Sequence, residues 1–186
     1  MEENEIKIGN QTWTSKNLDL ETYRNGDVIP QVQNAKEWAN LCTGAWCYYE
    51  NESANGTTYG KLYNWYAVND PRGLAPKGYH IPTDAEWTIL INYLGGVDSA
   101  ESEMKSISNW KEDSNGSNTS GFAGLPGGFR SYDGDFANVG AGGYWWISSE
   151  NDPDYAWYYE LDNYSGGVYK DKSSKLSGFS VRCLRD

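Results

Sequence analysis

Residues 80–96 read HIPTDAEWTILINYLGG, and this stretch decides the fold class. Thr83 stands before the run as an N-cap with Glu86 three residues on, the spacing of a capping box, and Pro82 precedes it. Trp87, Leu90, Ile91 and Leu94 recur at i, i+3, i+4 and i+7, which makes one helix face apolar, and Gly95 stops the helix. On both sides the period changes. Upstream, IKIGNQTWTSKNL (6–18) alternates Ile6 and Ile8 on one face, reverses at Gly9-Asn10 and brings Trp13 inward as a hairpin. NAKEWANL (34–41) offers Asn34 as cap with Glu37 three residues later, and Trp38 and Leu41 on one side. A third helix is expected from Asp98 to about Ser106.

From Gly121 onward strands and turns take over. Asp133-Gly134 marks a hairpin in GFRSYDGDFANVG, YWWISS reads as a buried strand, and KEDSNGSNTSG (111–121) as a surface loop. The closing GFSVRCLRD puts Phe179, Val181 and Cys183 on one face and returns to pair with the first strand. No repeat or linker divides the chain. The expectation is a single α+β domain over 1–186, with two or three short helices, a small twisted antiparallel sheet, and the N- and C-terminal strands close together.

Composition narrows the function classes. Nine Trp and fifteen Tyr in 186 residues, beside 21 Gly, imply a core of scattered large rings joined by tight turns. A formal charge of -11 disfavours nucleic acid and anionic lipid, because phosphate binding needs a cationic footprint. No stretch has the roughly 18 apolar residues of a membrane span. The polar start MEENEIKIGN is not a signal peptide, so the chain is expected to be intracellular or to have lost a leader. The three cysteines and one histidine form no zinc pattern.

The segment AWYYELDNYSGGVY (156–169) carries the binding reading. Trp157, Tyr159 and Leu161 form the core face of a strand, and Tyr158, Glu160 and Asp162 the outward one, continuing into Asn163, Tyr164 and Ser165. After Gly166-Gly167 the chain reverses, with Val168 inward and Tyr169 and Asp171 outward. A surface of Tyr, Asp, Asn, Ser and Gly has the composition of binding paratopes, with Tyr as rigid amphipathic contact. Trp145 and Trp146 point to opposite faces of their strand, and Trp146 is assigned as the ring that joins the site. The candidate ligand-binding set is Trp146, Tyr155, Tyr158, Glu160, Asp162, Asn163, Tyr164, Tyr169 and Asp171, on a face spanning about 145–177.

No catalytic residue is assigned. A Ser-His-Asp or Cys-His site would have to use His80, which sits at the start of a capped helix and reads as scaffold. Asp133, Asp135 and Asn138 are candidate calcium ligands, ranked behind the hairpin turn that already explains Asp133-Gly134.

IKIGNQTWTSKNL, GAWCYYEN, YGKLYNWYAVND, GLAPKGYHIPTDAEW, GLPGGFRSYDG, GYWWISSE and GFSVRCLRD, in that order, resemble the Fibrobacter succinogenes major paralogous domain over nearly the whole chain. That resemblance implies a C-type-lectin-like fold related to the formylglycine-generating, sulfatase-modifying group. It also implies a place on or outside a bacterial cell, or on a phage, and a protein or glycan ligand bound by a monomer without chemical change. It implies a disulfide from Cys47 to Cys183, leaving Cys42 as the odd thiol. Some domains of the family look like targets of diversity-generating retroelements, with varied residues on outward C-terminal strands ahead of a constant end. The alternatives are a structural module of a larger surface protein and a divergent sulfatase-modifying enzyme.

Overall fold

The structure is a computed structural model and describes residues 5–186. The first four residues of the polar start fall outside this range. The chain begins with the expected hairpin, β1 (Glu5–Ile8) and β2 (Gln11–Thr14), reversed at Gly9-Asn10 with Trp13 fully buried. A short helix α1 (Ala35–Trp38) follows, its first turn closed by Asn34, whose side chain accepts from the Glu37 N–H. β3 (Trp46–Cys47) and β4 (Leu62–Tyr63) pair around α2 (Ser53–Tyr59), and α3 (Trp65–Val68) is capped by Asn64. Then come β5 (Tyr79–His80) and α4 (Asp84–Tyr93), where Thr83 and Glu86 exchange both hydrogen bonds of the capping box. α5 runs over Val97–Met104, so Gly96 rather than Asp98 stands at its start.

The β-rich half consists of β6 (Gly127–Arg130), β7 (Phe136–Val139), β8 (Gly142–Glu150), β9 (Tyr155–Asp162), β10 (Val168–Ser174) and β11 (Leu184–Arg185). The larger sheet has the order β10-β9-β8-β6-β7, antiparallel except for a parallel bridge from β6 to β8. The smaller is β1-β2-β11-β5, so the last strand returns to the N-terminal hairpin but pairs with its second strand, Leu184 facing Trp13, and not with the first strand as expected, because β2 lies between them. The Asp133-Gly134 turn joins β6 to β7 as expected. Gly134 has φ +96°, and a Cβ there would lie 2.6 Å from Ala35 Cα, so both the turn and the seat of α1 require glycine.

β8 is covered on both faces. Trp145 packs with α4 and the first hairpin beside Trp13, Trp87 and Phe122, whereas Trp146 packs with Tyr63, Tyr158 and Phe179. A third cluster joins Val32, Trp38, Cys47 and Leu62. The expected Cys47–Cys183 disulfide is not formed. Cys47 lies in that third cluster and Cys183 with Tyr63 and Val181 in another, and both stay buried thiols while Cys42 is exposed.

Asn17 is the polar node of the interior. Its Nδ2 donates to Tyr59 O (2.8 Å) and Ser180 Oγ (3.2 Å), and its Oδ1 accepts from Trp145 Nε1 (2.9 Å) and Arg182 Nε (2.8 Å). Asn17→Ala would leave the buried Trp145 indole N–H and the Arg182 Nε–H without acceptors. A loss of about 3 kcal/mol in unfolding free energy is expected by urea denaturation, against under about 0.5 kcal/mol for surface Asn25→Ala. Denatured without reductant, the chain is expected to take up alkylating agent at all three cysteines, as read by intact mass.

Candidate functional site

Strand register places the expected site. Tyr169 of β10 lies opposite Glu160 and Asp171 opposite Tyr158, while on β8 Tyr144 and Trp146 face Glu160 and Tyr158. These side chains, with Asp162, share one face of the sheet. The other face is the expected inner one: Tyr159 stacks on Trp87 at 4.7 Å and 10°, and Leu161 is buried. Tyr159 Oη donates to Asp84 Oδ1 (3.0 Å), and Lys170 reaches the same oxygen (2.8 Å) while lying 4.4 Å from the Trp157 ring centroid.

The face read as outward is only partly so. Phe179, from the segment before β11, lies on it with ring centroids 4.4 Å from Trp146 and 4.6 Å from Tyr158. Trp146 is therefore 0% exposed and Tyr158 9%; both are core residues, and neither presents a ring to a ligand. Asp162 is buried too. Its Oδ1 accepts from the N–H groups of Tyr164 (2.9 Å) and Ser165 (2.7 Å), and its Oδ2 from the Ser165 hydroxyl, so it pins the β9–β10 turn. The residues of this face left to solvent are Tyr169 and Asp171, with Tyr164 exposed on the turn and Glu160 and Asn163 half-buried. Tyr155 is exposed too, but alternation puts it on the opposite face with Trp157, its ring beside Lys172, so it does not join them.

The remaining carboxylates give this face its character. Burial first, then the charges of Asp162 and Asp171, push the Glu160 carboxyl above its ordinary range. Burial and the neighbouring Glu160 and Asp171 likewise hold Tyr158 far above the usual phenol range. Among the described residues no cation forms an ion pair with Glu160, Asp162 or Asp171. The arrangement offers rings, amides and unneutralised acceptors.

The turn beside these residues meets a wall that the sequence did not point to: Glu101, Ser102, Ser114 and Asn115 line a groove with Asn163 and Tyr164. No local pattern links positions 50 residues apart. The calcium candidates have other partners. Asp133 Oδ1 accepts from the Asp135 N–H (3.3 Å), and Asn138 Nδ2 donates to Tyr144 Oη (2.8 Å). Among the described residues no three acidic, histidine or cysteine side chains converge as metal ligands.

His80 has both ring nitrogens engaged, Nδ1 with Asp186 Oδ1 and Nε2 with Glu86 Oε1, each at 2.9 Å. Although partial burial opposes it, these two carboxylates raise its pKa, and the ring braces β5 against α4 and Asp186. Burial pushes the Cys47 thiol up to about 12 despite the nearby Arg130, which leaves it a poor nucleophile.

Because the Glu160 pKa is higher folded than unfolded, its stabilising contribution is full below the unfolded value and declines as pH rises through the folded one. Glu160→Gln is therefore expected to raise the melting temperature at pH 7, with the gain vanishing as the pH falls below the ordinary glutamate range. A thermal scan over that pH series reads both limits.

The chain matches no curated protein and no solved structure. It does match the family model of the Fibrobacter succinogenes major domain, over residues 6–185. With almost every strand, helix and turn described above inside that match, the chain belongs to the Fibrobacter succinogenes major domain family.

Proposed function

We propose that this domain is a non-catalytic binding module of a cell or phage surface, which presents the β9–β10 hairpin to a protein or glycan ligand. One observation carries the reading. Tyr155, Tyr164, Tyr169 and Asp171 are exposed on a hairpin whose own shape is fixed by buried neighbours, with Asp162 holding the turn and Tyr159 and Tyr158 anchoring the two faces. The exposed side chains can therefore change identity without disturbing the scaffold, since surface substitutions usually stay within about 0.5 kcal/mol. That separation suits a diversified receptor of the kind written by retroelements, with the packed end 177–184 constant. It also suits a fixed binder.

Population sequencing of codons 140–186 tests the diversified form. Substitutions are expected at 155, 163, 164, 169 and 171, with 158, 162 and 178–184 spared. Uniform low variation, or variation crowded at buried positions, would sink it. In the protein, alanine at Tyr155, Tyr164 and Tyr169 together is expected to abolish ligand capture and leave the melting temperature within about 2 °C of the parent. Tyr158→Ala is expected to cost about 3 kcal/mol of stability by opening the cluster around Phe179. Retained capture by the triple variant would overturn the assignment of the hairpin.

A further inference from the structure

Beside the β9–β10 turn runs a groove of about 290 Å³, with Asn163, Tyr164 and Gly166 on one side and α5 and residues 114–116 on the other. Both walls are fixed. The Gly116 N–H donates to Ser106 O (3.0 Å), and the N–H groups of Ser117 and Asn118 converge on Ser102 O (2.8 and 3.3 Å), zipping the loop onto α5. A Cβ on Gly116 would come within 2.5 Å of Ser102 O and Lys105 Cβ, so the loop lies as close as glycine allows. The Lys105 side chain is 4% exposed, pairs with Glu101 and sits 4.6 Å from the Trp110 ring centroid. Asp162 fixes the opposite wall through Tyr164 and Ser165.

Into this rigid groove face polar groups with unused capacity. Asn115 Oδ1 accepts from the Trp110 N–H (3.1 Å), which leaves both of its amide donors available. Among the described residues the Asn163 amide, the Ser102 hydroxyl and the Tyr164 hydroxyl have no hydrogen-bond partner. Tyr164 itself is 80% exposed, a bare ring at the rim.

We infer that this groove is a saccharide subsite, in which Tyr164 packs against the C–H face of a sugar ring while Asn115, Asn163, Ser102 and Glu101 bond its hydroxyls. The inference rests on the hairpin being the binding face, and it adds the ligand class. A flat protein partner would cover these concave donors and acceptors without satisfying them, which is unfavourable. A hydroxyl-rich ring matches them in number and kind, and a single aromatic wall with a few convergent polar groups is the usual make-up of a small-molecule site. Glu101 is already neutralised by Lys105, so the sugar needs no charge.

The test is an NMR titration of the ¹⁵N-labelled chain with the methyl glycosides of glucose, galactose, mannose and N-acetylglucosamine. At least one is expected to give saturable shifts at the Asn115 and Asn163 side-chain amides and the Gly116 and Gly166 N–H groups. Tyr164→Ala, which removes only an exposed ring, is expected to weaken that binding about tenfold without moving the melting temperature. No saturable shift with any glycoside, or shifts undiminished in Tyr164→Ala, would overturn the subsite. Its failure is separable from failure of the binding face, because the sequencing and the triple tyrosine variant do not depend on sugar.

Discussion

Eight residues near the C-terminus, 177–184, tie the sheets together. Gly178 exchanges backbone hydrogen bonds with Arg130 (2.7 and 2.9 Å), Phe179 with Tyr63 (3.1 and 2.9 Å), and Ser180 accepts from Trp146 (3.1 Å) while donating to Tyr144 (3.1 Å). Val181 then accepts from Leu18 (2.8 Å) and Cys183 from Thr14 (2.9 Å), before Leu184 pairs with both β2 and β5. One extended segment therefore contacts β6, β4, β8 and β2 in turn. Its alternation divides its side chains between cores, with Phe179, Val181 and Cys183 in one and Leu184 in the other. Because Phe179 must lie over β8 and β9 to make these bonds, the second face of β9 is filled from within the chain, and the free surface retreats to the turn and to β10.

The same economy explains how an acidic chain of mean hydropathy -0.75 builds a core. Its large rings are cross-links as well as filler. The indole N–H groups of Trp38, Trp46, Trp65, Trp110 and Trp146 donate to the carbonyls of Leu176, Ile29, Ile147, Gly124 and Tyr63, distant segments in each case. Buried cations sit on these rings: Lys61 on Trp46, Lys105 on Trp110 and Lys175 on Trp65, each also paired with an acid. Arg130 and Arg182 have no carboxylate partner among the described residues and spend their donors chiefly on carbonyls: Gly134, Val32 and Gln33 for one, Thr14 and Ala123 for the other. A guanidinium bonded at several points bridges segments that a methyl-rich core would merely pack.

What was legible in the sequence is what local chemistry decides. The capping box of α4, the hairpin at Gly9-Asn10 and the turn at Asp133-Gly134 appear where the residues placed them, because each depends on a few neighbours, while the last strand reaches the N-terminal hairpin but on its second strand. The α+β class follows from them. The helix Ser53–Tyr59 was not legible, since SANGTTY carries no apolar periodicity and forms against its surroundings. The outward face of β9 was misjudged for a different reason. Period-two alternation separates two faces but cannot say whether a distant segment covers the polar one, and tyrosine and aspartate tolerate burial once hydroxyl or carboxylate is bonded. Tyr158 and Asp162 met that condition; Tyr164 and Tyr169 were left outside.

The free surface that results is under tension. Glu160 is held half-buried beside Asp162 and Asp171 with no ion-pair partner among the described residues to offset them, so ionising it works against the fold. Packing alone does not require this, because glutamine has the same shape without the charge. The buried lysines are paired with acids and the buried Arg130 and Arg182 are bonded at several points, whereas among the described residues the Glu160 carboxylate is bonded only by the distant Tyr158 hydroxyl (3.5 Å). Ionisable groups whose surroundings oppose their charge concentrate at functional sites. On the proposed reading, a ligand that donates hydrogen bonds to Glu160 and Asp171 relieves in the complex what the free domain bears alone. The unfavourable charge then becomes binding free energy, and it lies where the hairpin is exposed and the scaffold beneath it does not move.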